Sequence, residues 1–559
     1  MKQIKHIVVL MLENRSFFNV LGDMKGVRGG TRDPESPHTN CDSEGKVYKQ
    51  TAMTKQTLCA SYSFPNDYEA TKLSIMNDCK GFVHAFEKSF DNLIKDKGID
   101  DAQNQQVESA NKKGTWLGEP MTYFPFGSLP SIHTLAKHFA VCEAWHSSVP
   151  SATWPNRLFA LTGTSNGLSS MPQSPGDFKV SQTLQETQET IFTLLEEKKV
   201  PFKIYYDDVP LTLLLHKNWK KEILMQHHIM DEFFKDCKKE EDEFPAFSWI
   251  EPKYSGAAND FHPPHNPLNG DHLVGSVYNA IRENQQLWES TLFIVTFDEH
   301  GGFFDPIIPP QVDECIIEAL HSEKYDTHCF KSDVEKSNLK QCFSQYGIRV
   351  PTILISPALT GFGIIDSTLY DHTSLLASIC VRWNLSKTRL GERVRFANDF
   401  WHLFENLKHL KQEEEEEEKE RQQQQEKEEQ NEQILLRKIK RLPYHLELVP
   451  YDNKDRSGKK GIWNDFQKDI ATGFTGMLNG MVNISQGWNR LKTNFISEKY
   501  HFVDFIQGVH EQRNLIMNTD SSPSNPKQKK RKKINFKNDK HNNNKAGLSQ
   551  TLFKQCTIL

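Results

Sequence analysis

The sequence predicts an α/β fold built on buried parallel strands, and three observations carry that expectation. Residues 291–297, Thr-Leu-Phe-Ile-Val-Thr-Phe, form an apolar, β-branched run that stops on two adjacent carboxylates, Asp298 and Glu299. Residues 6–12, His-Ile-Val-Val-Leu-Met-Leu, repeat the pattern and stop on Glu13 and Asn14. Runs this continuously apolar belong to strands covered on both faces. Helix-length periodic segments separate the apolar runs, as βαβ crossovers require. Ligands of such sheets bind beyond the carboxyl ends of the strands, which here are acidic.

Bulk properties narrow the class. With 559 residues the chain is long enough for a large core plus appendages. Its net charge of −5 is mild for this size and gives no reason to expect a nucleic-acid partner. The ten cysteines include no Cys-x-x-Cys pair, so neither a disulfide framework nor a cysteine zinc site is indicated. Only the insert-like stretch holding Cys315, Cys329 and Cys342 leaves room for one or two bridges. The first apolar run is too short for a signal peptide and no small-residue cleavage site follows it. No run of about 18 apolar residues occurs, so no membrane-spanning helix is expected and the catalytic part is expected to stay in a cytosol-like compartment unless a non-classical export route operates.

Taken in order, the first strand (6–12) opens into Glu13-Asn14-Arg15-Ser16-Phe17, where Asn14 or Ser16 suits a helix cap. Residues 22–130 are polar and loop-rich with short helices near 70–95, an insertion over the active face. A helix over 131–138 feeds a short strand. In Thr153-Trp154-Pro155-Asn156-Arg157 the proline near the first turn opens an apolar-periodic helix. Thr153 is then either a helix N-cap or, beside a metal and in the positive field of a helix start, a nucleophile. The pattern continues with a helix over 184–198, a strand over 202–206 and helices around 220–240. Phe247-Ser-Trp-Ile-Glu-Pro leads to Asn259-Asp260-Phe261-His262-Pro263-Pro264-His265. Asp260 and His262 on that loop suit phosphate binding, leaving-group protonation or a plain surface turn. A helix over 271–288 crosses back to the strand at 291–297. Two neighbouring carboxylates repel unless a cation holds them, so Asp298 and Glu299 read as half of a metal site. Glu13 and Asn14 supply the remaining oxygens for one hard divalent ion; the alternative is a pair of acidic caps. An insert at 310–345 precedes another buried strand from Val350, and Tyr370-Asp371-His372-Thr373-Ser374 caps a helix reaching Trp383.

These five loops, in this order, resemble the phosphoesterase family of bacterial phosphatidylcholine-preferring phospholipases C, plant non-specific phospholipases C and a related acid phosphatase. The resemblance covers roughly residues 1–405. It implies an alkaline-phosphatase-like α/β/α sandwich and phosphoryl transfer through a covalent phospho-threonine or phospho-serine. By motif position it implies Thr153 as nucleophile and Glu13, Asn14, Asp298 and Glu299 as metal ligands. His262 and His372 would bind the phosphoryl group or protonate the leaving alkoxide, and Asn156, Arg157, Asp260 and His300 would contact substrate. One divalent ion is expected; oxygen donors favour Ca²⁺ or Mg²⁺, and carboxylates also bind Zn²⁺. The chain departs from the family pattern at Phe18, where Asp is usual, and at Pro306, where His is usual. It also has only Asn66-Asp67-Tyr68-Glu69 where a histidine near Asp-Pro is common.

Past Leu407 the composition shifts. A catalytic domain (1–407) is followed by a Glu/Gln-rich spacer (408–435), an amphipathic helical region (436–515) and a basic tail (516–559) expected to be unfolded. Trp463, Phe466, Ile470, Phe474, Met477, Met481, Ile484 and Trp488 recur every three or four residues, a stripe for packing or for a lipid interface. Cys556-Thr557-Ile558-Leu559 fits a C-a-a-X prenylation pattern downstream of Lys529-Lys530-Arg531-Lys532-Lys533. A lipid chain plus a polybasic stretch anchors stably to an anionic surface. The expectation is a prenyltransferase acting on Cys556 and attachment to a phospholipid surface on the cytosolic side of a eukaryotic membrane. That membrane is the protein's own cell's or, for a bacterial effector, the host's. The expected activity is that of a metal-dependent phospholipase C; a phosphomonoesterase on soluble esters and an inactive membrane scaffold are the alternatives.

Overall fold

The apolar runs at 6–12 and 291–297 lie side by side at the centre of an eight-stranded sheet. The computed structural model describes residues 3–54, 59–60, 63–96, 117–171, 188–313, 343–360 and 363–405. The Glu/Gln-rich spacer, the amphipathic stretch, the tail with Cys556 and the Cys315–Cys342 stretch lie outside the described residues.

The strands are β1 (His6–Leu12), β2 (Ala140–Cys142), β3 (Phe202–Tyr206), β4 (His227–Ile229), β5 (Phe247–Glu251), β6 (Thr291–Phe297), β7 (Thr352–Ile355) and β8 (Ile365–Asp366). Their order across the sheet is β8-β2-β7-β6-β1-β5-β3-β4. Only β7 runs antiparallel to its neighbours, β6 and β2; the rest pair in parallel. Every residue of β1 and β6 is buried, which accounts for their unbroken apolar sequence. At about 1.5–3 kcal/mol per large apolar side chain, these two strands are the energetic centre of the fold.

The covering helices are α1 (Phe17–Leu21), α2 (Tyr68–Cys79), α3 (Phe82–Asp96), α4 (Pro130–His138), α5 (Thr153–Thr162), α6 (Ile191–Glu197), α7 (Pro267–Glu283) and α8 (His372–Trp383). α5 packs on α8, and α4 packs on α7. Ser16 caps α1, its hydroxyl accepting the Asn19 N–H. The helix expected over 271–288 is two helices, because Asn266 and Asn284 each accept an N–H at a new helix start. The region expected to be helical around 220–240 contains β4 between Lys221–Leu224 and Met230–Asp236; a three-residue strand is too short for periodicity to reveal. Cys41, Cys59, Cys79, Cys142, Cys237 and Cys380 are free thiols. Among the described residues, no helix is long and apolar enough to cross a membrane.

Candidate active site

Register builds the site. β1 and β6 pair in parallel with Leu12 opposite Phe297, so the next residues, Glu13 and Asp298, leave the sheet together. The Asp298 N–H donates to the Leu12 carbonyl at 3.0 Å. Asn14 turns the chain with a φ of +52°, and its N–H donates to Asp298 Oδ1 at 2.9 Å. Gly301 takes a φ of +61° against the Asn14 carbonyl, where a β-carbon would lie 2.2 Å from that oxygen. Two loops nearly 300 residues apart are thereby locked into one acidic shelf.

Thr153 meets that shelf. It is the first residue of α5, whose N-cap is Ala152, without a side-chain cap bond. The N-cap alternative for Thr153 therefore does not hold. Its hydroxyl instead donates toward Glu13 Oε2 at 3.3 Å and Asn14 Oδ1 at 3.4 Å. All three side chains are buried.

Arg157, one turn further along α5, lies beneath the shelf. It pairs with Glu13 Oε1, with Glu251 at 3.2 Å and with Asp298 Oδ2 at 3.5 Å. The structure places the Arg157 guanidinium, expected at the substrate, against these three carboxylates. Asn156 is also turned away. Its amide accepts the Val149 N–H and donates to carbonyls of Val149, Ser151 and Ala152, bracing the loop before α5.

Glu299 is held by Asn66 Nδ2 at 2.7 Å, by the Gly301 N–H at 2.7 Å and by His300 Nδ1 at 3.1 Å. Asp260 sends its main-chain carbonyl to the Glu13 N–H at 2.8 Å. Its Oδ1 accepts the His262 N–H at 3.0 Å and meets His265 Nδ1 at 2.7 Å. His372 is held from both sides. Its Nε2 donates to the Asp298 carbonyl at 2.6 Å and its Nδ1 accepts the Trp145 indole N–H at 3.4 Å. Both ring nitrogens are engaged, and His372 secures the acidic loop.

Burial sets the electrostatics. It pushes the Glu13 carboxyl well above the usual range, with Asp298 adding to the rise and Arg157 opposing it. Glu299 is raised for the same reason, with Asp298 again adding. Burial lowers His262 to about 4 and His300 to about 3, and lowers His372 as well.

Among the described residues, no three His, Cys, Asp or Glu side chains form a ready cage for an ion. The oxygens nonetheless fit one. Five buried carboxylates (Glu13, Glu251, Asp260, Asp298, Glu299) face two buried guanidinium groups, Arg15 and Arg157. Asp260 Oδ2 is buried without a hydrogen-bond donor, and Asp298 Oδ2 accepts no hydrogen bond and has only the Arg157 guanidinium beside it at 3.5 Å. Uncompensated buried charge costs several kcal/mol per group, roughly, and a hard divalent cation held by oxygens removes the deficit.

The chain matches the Phosphoesterase family over residues 4–386. It belongs to the phosphoesterase family. This phosphoesterase is similar to non-specific phospholipase C6 of Arabidopsis thaliana, 32% identical over 419 residues and covering 72% of each chain. It is similar to non-specific phospholipase C4 of the same plant, 32% identical over 426 residues and covering 71% of each. It is also similar to non-hemolytic phospholipase C of Pseudomonas aeruginosa, 24% identical, over 70% of this chain and 55% of that protein. Among solved structures it is similar to a protein of the alkaline phosphatase superfamily from Vibrio parahaemolyticus. That likeness has 14% identity and a TM-score of 0.27, over 48% of this chain and 65% of that one.

Sequence reasoning misses several residues of the site. Glu251 closes β5 as Glu13 closes β1, so the same rule of acid at a strand end applies to it. Asn66 stands out in the sequence only as a departure from the family pattern, yet it donates to Glu299. Phe18, the other departure, packs edge-on to Phe304, Tyr123 and His38 while its N–H caps Asp305. No local signal marks Trp145 or Trp249, whose indoles reach the site only through tertiary packing.

Proposed function

We propose that this phosphoesterase is a metal-dependent phospholipase C. It cleaves phosphatidylcholine-like glycerophospholipids on the glycerol side, giving diacylglycerol and a phosphorylated head group, through a phospho-threonine at Thr153. The observation that carries the reading is the Thr153 hydroxyl at the start of α5, within 3.4 Å of both Glu13 and Asn14. The relatives named phospholipase C support the substrate class.

A divalent ion held by Glu13, Asn14, Asp298 and Glu299 would neutralise phosphoryl oxygens and lower the pKa of the Thr153 hydroxyl. The remaining steps fall to the chain's own groups. Thr153 Oγ1 gives up its proton to water and attacks phosphorus, displacing the glycerol oxygen. The positive end of α5 faces the negative charge that builds on the phosphoryl group. The glycerol oxygen leaves and takes a proton from the Asp260–His262 loop. An entering phosphodiester anion raises the proton affinity of His262, which burial otherwise holds neutral. Water then releases the head group by the reverse proton path.

Diacylglycerol release from phosphatidylcholine vesicles, run beside p-nitrophenyl phosphate hydrolysis, tests the reading. Lipid turnover that disappears in Thr153→Ala is expected. Turnover of p-nitrophenyl phosphate without lipid turnover would make the chain a phosphomonoesterase, and equal background output from both proteins would make it inactive.

A further inference from the structure

Three neighbouring parallel strands, β6, β1 and β5, each deliver a carboxylate at or just past the carboxyl end: Asp298, Glu13 and Glu251. One guanidinium, that of Arg157, lies against all three. It also donates to the Met11 carbonyl at 3.2 Å, so it is wedged between strand ends. The first two carboxylates belong to the ion site proposed above; Glu251 does not.

Glu251 is built in with care. Its Oε1 accepts the Trp249 indole N–H at 2.9 Å, and its Oε2 accepts the Tyr254 hydroxyl at 2.6 Å and Arg157 Nη1 at 3.2 Å. The Tyr254 ring also lies 5.7 Å from the Arg157 guanidinium carbon. All four side chains are buried.

Arg157 has an evident use. By occupying Glu13 Oε1 it leaves Oε2 facing Thr153 and Asn14. Asp298 is fixed differently: Oδ1 is committed to the N–H groups of Asn14 and Glu299, and Oδ2, which accepts no hydrogen bond, lies 3.5 Å from Arg157 Nε. Glu13 thus keeps one oxygen for the site, and Asp298 keeps one that no N–H claims. Orienting ligands with a fixed cation has a drawback, because that cation repels the ion the ligands are meant to hold.

We propose that Glu251 is a positioning residue that acts through Arg157. It balances the guanidinium charge, so that Arg157 orients Glu13 and Asp298 without expelling the divalent ion. The proposal rests on the metal-binding part of the reading above. It goes beyond it by assigning a role to a carboxylate that neither binds the ion nor touches Thr153.

The test is ion affinity, measured by titrating Mg²⁺, Ca²⁺ and Zn²⁺ separately into the chelator-stripped full-length protein. Glu251→Gln, which keeps shape and removes charge, is expected to weaken binding about 10–100-fold, the usual penalty for disturbing groups behind metal ligands. Adding Arg157→Met to Glu251→Gln is expected to recover part of that loss, because the unbalanced charge is then gone. A purely structural Glu251 predicts the opposite, with the double variant weaker than the single one. Tyr254→Phe, which removes one hydrogen bond from Glu251, is expected to weaken binding severalfold and serves if Glu251→Gln does not fold. Wild-type affinity in Glu251→Gln or, failing its folding, in Tyr254→Phe overturns the proposal, as does a double variant no better than the single. A wild-type protein that binds none of the three ions overturns the metal reading and this proposal together.

Discussion

Thr153 and Glu13 are 140 residues apart in the chain, yet Thr153 Oγ1 stands 3.3 Å from Glu13 Oε2. The contact joins the first turn of α5 to the end of β1. It exists because β1 and β6 are in register and because α5 starts one residue earlier than a threonine cap would allow.

Replacing Thr153 separates the hydroxyl from the helix. Thr153→Ala is expected to lower lipid turnover by about 10³-fold or more, as loss of a nucleophile does. Thr153→Ser, which keeps the oxygen, is expected to retain a measurable fraction. Steady-state rates on vesicles, with melting temperatures to confirm folding, check both.

Chelation provides a second prediction. Stripping the protein of divalent ions is expected to abolish turnover, and one equivalent per chain to restore it. Elemental analysis of active protein checks the stoichiometry; active protein without a divalent ion would contradict it.

Gly301→Ala tests the lock between the two acidic loops. The φ of +61° and the 2.2 Å approach to the Asn14 carbonyl leave no room for a methyl group. The strained backbone alone costs about 1–2 kcal/mol, and the clash displaces Asn14 as well. A lower denaturant midpoint together with weakened ion binding is the expected result.

Acid stability follows from His133, which lies away from the site. Its Nδ1 accepts the Gly127 N–H at 2.7 Å and its Nε2 donates to the Val20 carbonyl at 2.8 Å, so the ring is bound in its neutral form. Burial lowers it to about 4 from an ordinary 6.5. The unfolded chain therefore takes up this proton first as pH falls. The stabilising contribution is complete above about pH 6.5 and disappears on the way down to about 4, on the order of 3 kcal/mol. Urea unfolding at pH 7, 6 and 5 should show this slope, and His133→Asn, less stable at pH 7, should show a shallower one.

Much of the fold and the site is legible in the sequence. The two longest buried strands declare themselves by unbroken apolar runs, and the acids that follow each run mark the site. Asn14, Glu13, Asp298 and Thr153 do meet. What local sequence does not carry is the direction a side chain takes once packed. Asn156 and Arg157 follow the threonine in the chain, but the helix turns them down into the loop and under the strand ends. His372 reads as a proton donor in its motif, yet its ring is bracketed by a carbonyl and an indole. Glu251 carries the same signal, an acid ending an apolar strand, but its role shows only in the neighbouring strands, whose carboxylates share Arg157 with it.

The most direct test of the account is rapid quenching of the metal-loaded protein on phosphatidylcholine vesicles, followed by mass spectrometry of the peptide containing Thr153. A phosphocholine adduct on Thr153 that forms and decays at the rate of diacylglycerol release is the predicted result. Full diacylglycerol release with no adduct on that peptide, and with Thr153→Ala still active, would contradict it.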